Sequence, residues 1–279
     1  MNYVTLNTGA KMPILGYGVF KIDDNQAGID IVKEALAVGY RSIDTAAIYG
    51  NEKAVGQAIK QSGVKREDIF LTTKLWNEDM RQGNAQAAID KSLSDLGVDY
   101  VDLYLIHWPV KNYYVDAWLA MEEIYKSGKA KAIGISNFMP NHIEDISKVW
   151  SVVPALNQYE MHPHLTRKPL LELCKKHGIV PQSWGPLGGT RPGSQEKDNL
   201  LANPVLVKIA EKYGKSTAQV ILRWNIDLGV VCIPKSVTPS RIKDNFDLFD
   251  FSLTPDEVAA IDALDTDTRF GPDPNNFDF

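Results

Sequence analysis

Seven places in this chain carry side chains that can hold charge, move protons or grip a polar ligand: Asp44, Lys74, His107, Ser136 with Asn137, Gln158, Trp184, and Lys235 with Ser236. The steps from Asp44 to Lys74, Lys74 to His107 and His107 to Asn137 are 30, 33 and 30 residues. Each place follows a strand-like run. A carboxylate, a cation, an imidazole and the nearby phenol of Tyr49 are costly to bury unpaired, so their recurrence predicts a chemical site. Taken singly they say much less, because an Asp or Ser after a strand is more often a helix cap.

The elements that would position them alternate. Strand-like runs cover 15–18, 40–43, 69–73, 101–106, 132–135, 153–156, 179–183 and 230–233, after a short pair near 3–6 and 11–14. Between them, Ile29, Val32 and Leu36, then Ile89, Leu93 and Leu96, recur at helical spacing and predict amphipathic helices packed on a sheet. Ser216 with Gln219 and Thr254 with Glu257 match the capping box, the second with Pro255 at the first helical position. Alternating strands and helices imply a parallel sheet, and eight strands at this length favour closure into a (β/α)8 TIM barrel. The reading is α/β, one domain over residues 1–279, with a short N-terminal β-hairpin. All strands of such a barrel open their carboxyl ends on one face, so the polar positions share one mouth. The glycine- and proline-rich stretch 185–199 is expected to lie over it as a lid.

Composition narrows the functions. With 279 residues and 44% hydrophobic content the chain can bury a large core,. A net charge of −5 offers no general attraction for nucleic acid or an anionic membrane,. Two cysteines, Cys174 and Cys232, are too few for a disulfide framework and suit a cytoplasmic protein,. No leader pattern and no membrane-length apolar run is seen. His142, His162, His164 and His177 lack the company of a metal site, so no metal is expected. No strand-following G-x-G-x-x-G supports an open dinucleotide-binding sheet. Tyr213-Gly-Lys-Ser216 imitates the end of a phosphate loop, but Ile209 stands where glycine is required.

Six stretches carry a family resemblance: Asp44-Thr-Ala-Ala-Ile-Tyr49-Gly-Asn-Glu52, Thr73-Lys74-Leu-Trp76, Asp102-Leu-Tyr-Leu-Ile-His107-Trp108-Pro109, Gly134-Ile-Ser136-Asn137-Phe138, Asn157-Gln158 and Ile233-Pro234-Lys235-Ser236. In order and spacing they resemble the signatures of the aldo-keto reductases, over nearly the whole chain. The chain is similar to the compact microbial branch of diketogluconate and methylglyoxal (glyoxal) reductases. Phe20 stands where many relatives carry tryptophan, and the longer tail of the mammalian enzymes is missing. Both departures bear on substrate preference, not on reaction type.

The resemblance implies NADPH-dependent reduction of aldehydes and ketones to alcohols, with small aldehydes, dicarbonyls such as methylglyoxal, or keto-sugars as substrates. Tyr49 would be the general acid, its pKa lowered by Lys74, which Asp44 holds in place. His107 would orient the carbonyl and stabilise its growing negative charge. Ser136, Asn137 and Gln158 would hold the carboxamide, with Trp184 on the nicotinamide face and Pro186 and Leu187 beside it. Lys235, Ser236, Arg241 and Asn245 resemble a clamp for the adenosine 2′-phosphate, although Asp244 adds a negative charge among them. Phe20, Trp76, His107 and Trp108 would wall the substrate pocket. The family also implies a monomer. Two other readings stay open: a barrel aldolase using Lys74 as a Schiff-base nucleophile, and a catalytically silent NADPH-binding sensor or subunit on the same fold.

Overall fold

The computed structural model of the chain describes residues 2–188, 199–277 and 279. Strands β1 (Tyr3–Thr5) and β2 (Lys11–Pro13) form an antiparallel hairpin. The barrel strands follow: β3 (Tyr17–Gly18), β4 (Ser42–Asp44), β5 (Phe70–Leu75), β6 (Leu103–Ile106), β7 (Ile133–Ser136), β8 (Leu156–Glu160), β9 (Val180–Trp184) and β10 (Val231–Cys232). Each lies parallel to the next in chain order. Closure comes from a parallel bridge between Leu15 and Cys232, with Gly16 N donating to Cys232 O at 2.9 Å and Cys232 N to Ile14 O at 3.1 Å. Eight parallel strands thus meet in a ring, as the alternation predicts.

The outer layer consists of α1 (Gln26–Val38), α2 (Glu52–Gln61), α3 (Asn77–Arg81), α4 (Ala85–Leu96), α5 (Tyr114–Lys126), α6 (Pro140–Ser147), α7 (Lys168–His177), α8 (Pro204–Tyr213), α9 (Thr217–Asp227), α10 (Pro239–Phe246) and α11 (Pro255–Asp262). Local chemistry sets their ends. Asn25 caps α1 by accepting from Gly28 N at 3.0 Å, and the capping boxes read at Ser216 and Thr254 are both formed,. Among the described residues no helix is long and apolar enough to cross a membrane.

Side chains alternate along each strand, and the two sets differ in chemistry. Outward residues such as Ile43, Leu71, Tyr104, Ile106, Ile133 and Ile135 are buried with Val32, Leu36, Val55, Ile59, Ile89 and Leu93 of the helices. This sheet-to-helix layer is the main core. The inward set contains Ser42, Asp44, Thr72, Lys74, Gln158 and Gln182, all buried. Toward the carboxyl ends of the strands Lys74, Asp44, Gln158 and Gln182 hydrogen-bond in one chain, whereas Ser42 Oγ, Thr72 Oγ1 and Gln182 Nε2 have no hydrogen-bond partner among the described residues,.

One predicted strand is misplaced. The run 153–156 predicts the sixth barrel strand, yet β8 begins at Leu156 and runs to Glu160. Its inward residues Gln158 and Glu160 are polar, so the apolar pattern stops where the strand continues. At the opposite end of the barrel, Asn7 Nδ2 donates to Val153 O and Pro154 O, both at 3.2 Å. That bond ties the segment after β1 to the chain entering β8.

Candidate active site

Asp44 ends β4, Lys74 lies in β5 and His107 follows β6, so three neighbouring strands deliver them to one end of the barrel. Tyr49 arrives separately, on a 3-10 turn over Ala47–Tyr49 that Gly50 ends with a φ of 65°. Glycine fits that left-handed position without strain. Lys74 is fully buried, and its Nζ donates to Asp44 Oδ1 at 2.5 Å and to Thr45 O at 2.8 Å. The same ammonium lies 5.1 Å from the centre of the Tyr49 ring. Asp44 Oδ2 accepts from Gln158 Nε2 at 2.7 Å, and that amide nitrogen also donates to Gln182 Oε1 at 2.8 Å. Both carboxylate oxygens are therefore committed. The ring of His107 stands edge-on to Tyr49, with centroids 5.7 Å apart.

Charge and burial compete here. Burial raises the Tyr49 phenol, Lys74 pulls it down and Asp44 pushes it up, and the net position is above the ordinary tyrosine value. This corrects the expected net lowering: the cation acts in the anticipated direction, but desolvation outweighs it. For Lys74, burial acts to lower the pKa, but Asp44 and Tyr49 prevail and hold the ammonium above its usual value. His107 is driven well below the ordinary histidine value by burial and then by the Lys74 charge. At neutral pH the site holds a neutral phenol, a cationic lysine and a neutral imidazole.

Beside this cluster, Ser136 of β7 stands opposite Gln158 of β8 in register. Asn137 adopts a left-handed backbone, φ 65°, at the end of the strand. Its Nδ2 donates to His107 O at 3.0 Å and Ser136 Oγ at 3.2 Å, while its Oδ1 accepts from Trp184 Nε1 at 2.8 Å. One amide thus links the ends of β6, β7 and β9. Just past β9, Pro186 is buried and Leu187 half-buried. Residues 189–198 of the anticipated lid lie outside the described residues.

After β10, Ser236 and Asn245 are buried, whereas Lys235 and Arg241 are exposed. Neither cation has an ion pair among the described residues. Arg241 lies in the first turn of α10, and Thr238 at its start offers no side-chain cap. Free N–H groups and two cations at a helix start make a setting suited to a phosphate.

The mouth is aromatic. Phe20, 54% exposed, lies 5.0 Å from Tyr49, and Trp76 lies 5.3 Å from His107, centre to centre. Trp108 is buried. Sequence reasoning missed the rest of this wall, which comes from the far end of the chain. Phe277 and Phe279 lie 5.1 and 5.3 Å from Trp108, and Phe279 stacks on Trp76 at 6.1 Å. The main-chain oxygen of Phe279 accepts from Asn77 Nδ2 at 3.0 Å and Arg81 Nη2 at 2.8 Å. The segment that carries Phe277 and Phe279 thus reaches the pocket, and the available signal was two phenylalanines in an otherwise polar stretch. His162 Nε2 lies 3.1 Å from Glu160 Oε1. Glu160 also accepts from Gly271 N at 3.1 Å, so the pair serves to hold the C-terminal segment.

Comparison with known proteins agrees with this architecture. The model of the aldo/keto reductase family matches residues 14–266. The chain is 50% identical to the glyoxal reductase of Bacillus subtilis over 276 residues, covering 99% of this chain and 97% of the relative. It is 45% identical to the methylglyoxal reductase DkgA of Escherichia coli, covering 98% and 97%. Among solved structures it is similar to an aldo-keto reductase from a deep-sea metagenome library, with a TM-score of 0.92, 42% identity and coverage of 99% and 100%. It is also similar to a Bombyx mori aldo-keto reductase in complex with NADP, with a TM-score of 0.88, 36% identity and coverage of 96% and 94%.

Proposed function

The chain belongs to the aldo-keto reductase family, and from that premise we propose that it reduces small aldehydes and dicarbonyls of the methylglyoxal type with NADPH, as a one-domain cytoplasmic monomer. The observation that carries this reading is the buried Lys74, paired with Asp44 and set 5.1 Å from the Tyr49 ring. The two free, buried cysteines suit a reducing compartment,.

NADPH supplies the hydride when bound. Lys235 and Arg241 fit the phosphate that distinguishes it from NADH, because both are exposed and lack an acidic partner among the described residues. Ser136, Asn137 and Gln158 would hold the carboxamide, with Trp184 on the ring face and Pro186 and Leu187 alongside. Ser236 and Asn245 complete the phosphate end.

Tyr49 then donates its proton to the carbonyl oxygen. Its raised pKa keeps it in the acid form at neutral pH, and the Lys74 cation stabilises the phenolate left behind,. Asp44 holds that cation in line. His107, kept neutral, donates a hydrogen bond to the same oxygen as negative charge grows on it,. Phe20, Trp76 and Trp108 keep water off the reacting carbonyl. A Schiff-base role for Lys74 finds no support, since attack needs a neutral amine and this one is held as an ammonium.

The test is loss of NADPH absorbance with a panel of aldehydes and dicarbonyls, run beside a Tyr49→Phe variant. The parent should turn over, and the variant should lose about a hundredfold or more with NADPH affinity retained. A parent that binds NADPH and reduces none of the panel would refute the reductase reading in favour of a silent binder.

A further inference from the structure

Asn51 begins α2 yet makes no side-chain cap bond there. Capping is the usual reason for an asparagine at a helix start, so this one needs another. The side chain is fully buried, and every hydrogen-bonding group on it is used. Its Oδ1 accepts from Thr45 Oγ1 at 2.7 Å, and its Nδ2 donates to Val19 O and Ile22 O, both at 2.9 Å.

These partners belong to two separate parts of the site. Thr45 supplies the carbonyl that accepts from Lys74 Nζ at 2.8 Å. Val19 and Ile22 bracket the exposed Phe20 and Lys21, the latter strained at φ 59°. The Phe20 ring faces Tyr49, two residues before Asn51 in the chain. A second tie, from Ala54 N to Asp24 Oδ1 at 2.7 Å, fixes the far end of the same loop to α2.

We propose that Asn51 is a positioning residue that joins the Phe20 loop to the Thr45–Lys74 cradle, so that the pocket wall and the acid–cation pair keep one fixed spacing. It acts through Thr45 and through the loop, and it touches neither substrate nor the reacting atoms. The inference rests on the reductase reading and deepens it. Its two arms are separable. Thr45→Val cuts only the bond toward the lysine cradle. Asn51→Asp keeps an acceptor for Thr45 but turns oxygen toward Val19 O and Ile22 O, which releases the loop. Asn51→Ala cuts both.

The experiment compares these three variants with the parent in steady-state carbonyl reduction, NADPH affinity by tryptophan fluorescence, and the rate of tryptic cleavage after Lys21. Thr45→Val should lower kcat about tenfold with KM within about twofold and Lys21 still protected. Asn51→Asp should raise KM about fivefold or more, with a smaller effect on kcat and faster cleavage at Lys21. Asn51→Ala should combine both losses, and NADPH affinity should stay within about threefold throughout. Should Asn51→Ala fail to fold, the other two variants decide the matter. An active parent whose variants keep kcat and KM, or lose both without the split, overturns the positioning role alone. A parent that reduces no carbonyl overturns the reductase reading, and the positioning role falls with it.

Discussion

Replacing Asp44 with asparagine leaves Lys74 fully buried, still donating to Thr45 O but without its counter-charge. Breaking a buried pair from one side costs about 3–5 kcal/mol. The lysine has one escape, which is to shed its proton. An ordinary lysine titrates near 10.4, and each unit is worth about 1.36 kcal/mol, so at pH 7 the penalty is capped at about 4.6 kcal/mol. In the parent, Asp44 and Tyr49 hold the Lys74 pKa above its unfolded value. That stabilisation is fully present below the unfolded pKa and is lost as pH rises through the folded one. In the variant burial dominates, the folded pKa drops below the unfolded value, and between the two the unfolded chain binds more protons. Stability of the variant must therefore rise with pH across that window, by up to about 1.4 kcal/mol per unit. Urea unfolding followed by circular dichroism at pH 7, 8 and 9 measures this. The expected deficit is largest at pH 7 and shrinks at each step. A deficit below about 1 kcal/mol, the range of an exposed pair, or one equal at all three pH values, would refute the argument.

Because His107 titrates far below neutrality and Tyr49 above its ordinary value, kcat/KM for reduction should be flat from about pH 6 to 9,. An ionisation near pH 6.5 in that profile would contradict the neutral imidazole. Arg241→Ala should weaken NADPH about tenfold or more, the worth of a charge-assisted contact, while NADH changes by about twofold at most; equal losses by fluorescence titration would reject the phosphate clamp. Alanine for glycine inside a helix normally gains up to about 1 kcal/mol, but a Cβ at Gly56 would sit 2.1 Å from Leu96 O, where α2 meets α4,. Gly56→Ala should instead lose about 2 kcal/mol or more in urea unfolding. Phe279→Ala, which strips one ring from the stack on Trp76 and Trp108, should raise the preference for bulky aromatic aldehydes over methylglyoxal about fivefold, measured as a ratio of kcat/KM,.

The periodic part of the fold was legible because it is local. Ile89, Leu93 and Leu96 announce α4, Ser216 and Thr254 announce their helices, and the step of about thirty residues between Asp44, Lys74, His107 and Asn137 announces the repeating strand–helix unit. Asp44, His107, Ser136 and Asn137 could be placed together from the sequence because each closes or follows a strand. What escaped is non-local or polar. The sixth barrel strand was displaced because Gln158 and Glu160 point inward and mimic a loop. Phe277 and Phe279 reach the mouth only through contacts with residues some 170 to 200 positions earlier, Trp108 and Trp76. The net pKa of Tyr49 follows from how deeply the phenol is buried, a quantity that no spacing in the chain encodes.

The ring closes at its two shortest strands, β3 and β10 of two residues each, where Leu15 just before β3 bridges to Cys232, and Cys232 lies in that seam. Burial raises its thiol far out of the reactive range, and pushes that of Cys174 on α7 up to about 12. Neither sulfur is exposed while the ring is shut. The two cysteines therefore form a built-in pair of clocks for a thiol-modifying reagent. Modification of Cys232 times the parting of the seam, modification of Cys174 times the lifting of α7 from β9, the strand next to β10, and the ratio of the two rates tells whether the barrel opens at its join first or comes apart at once,.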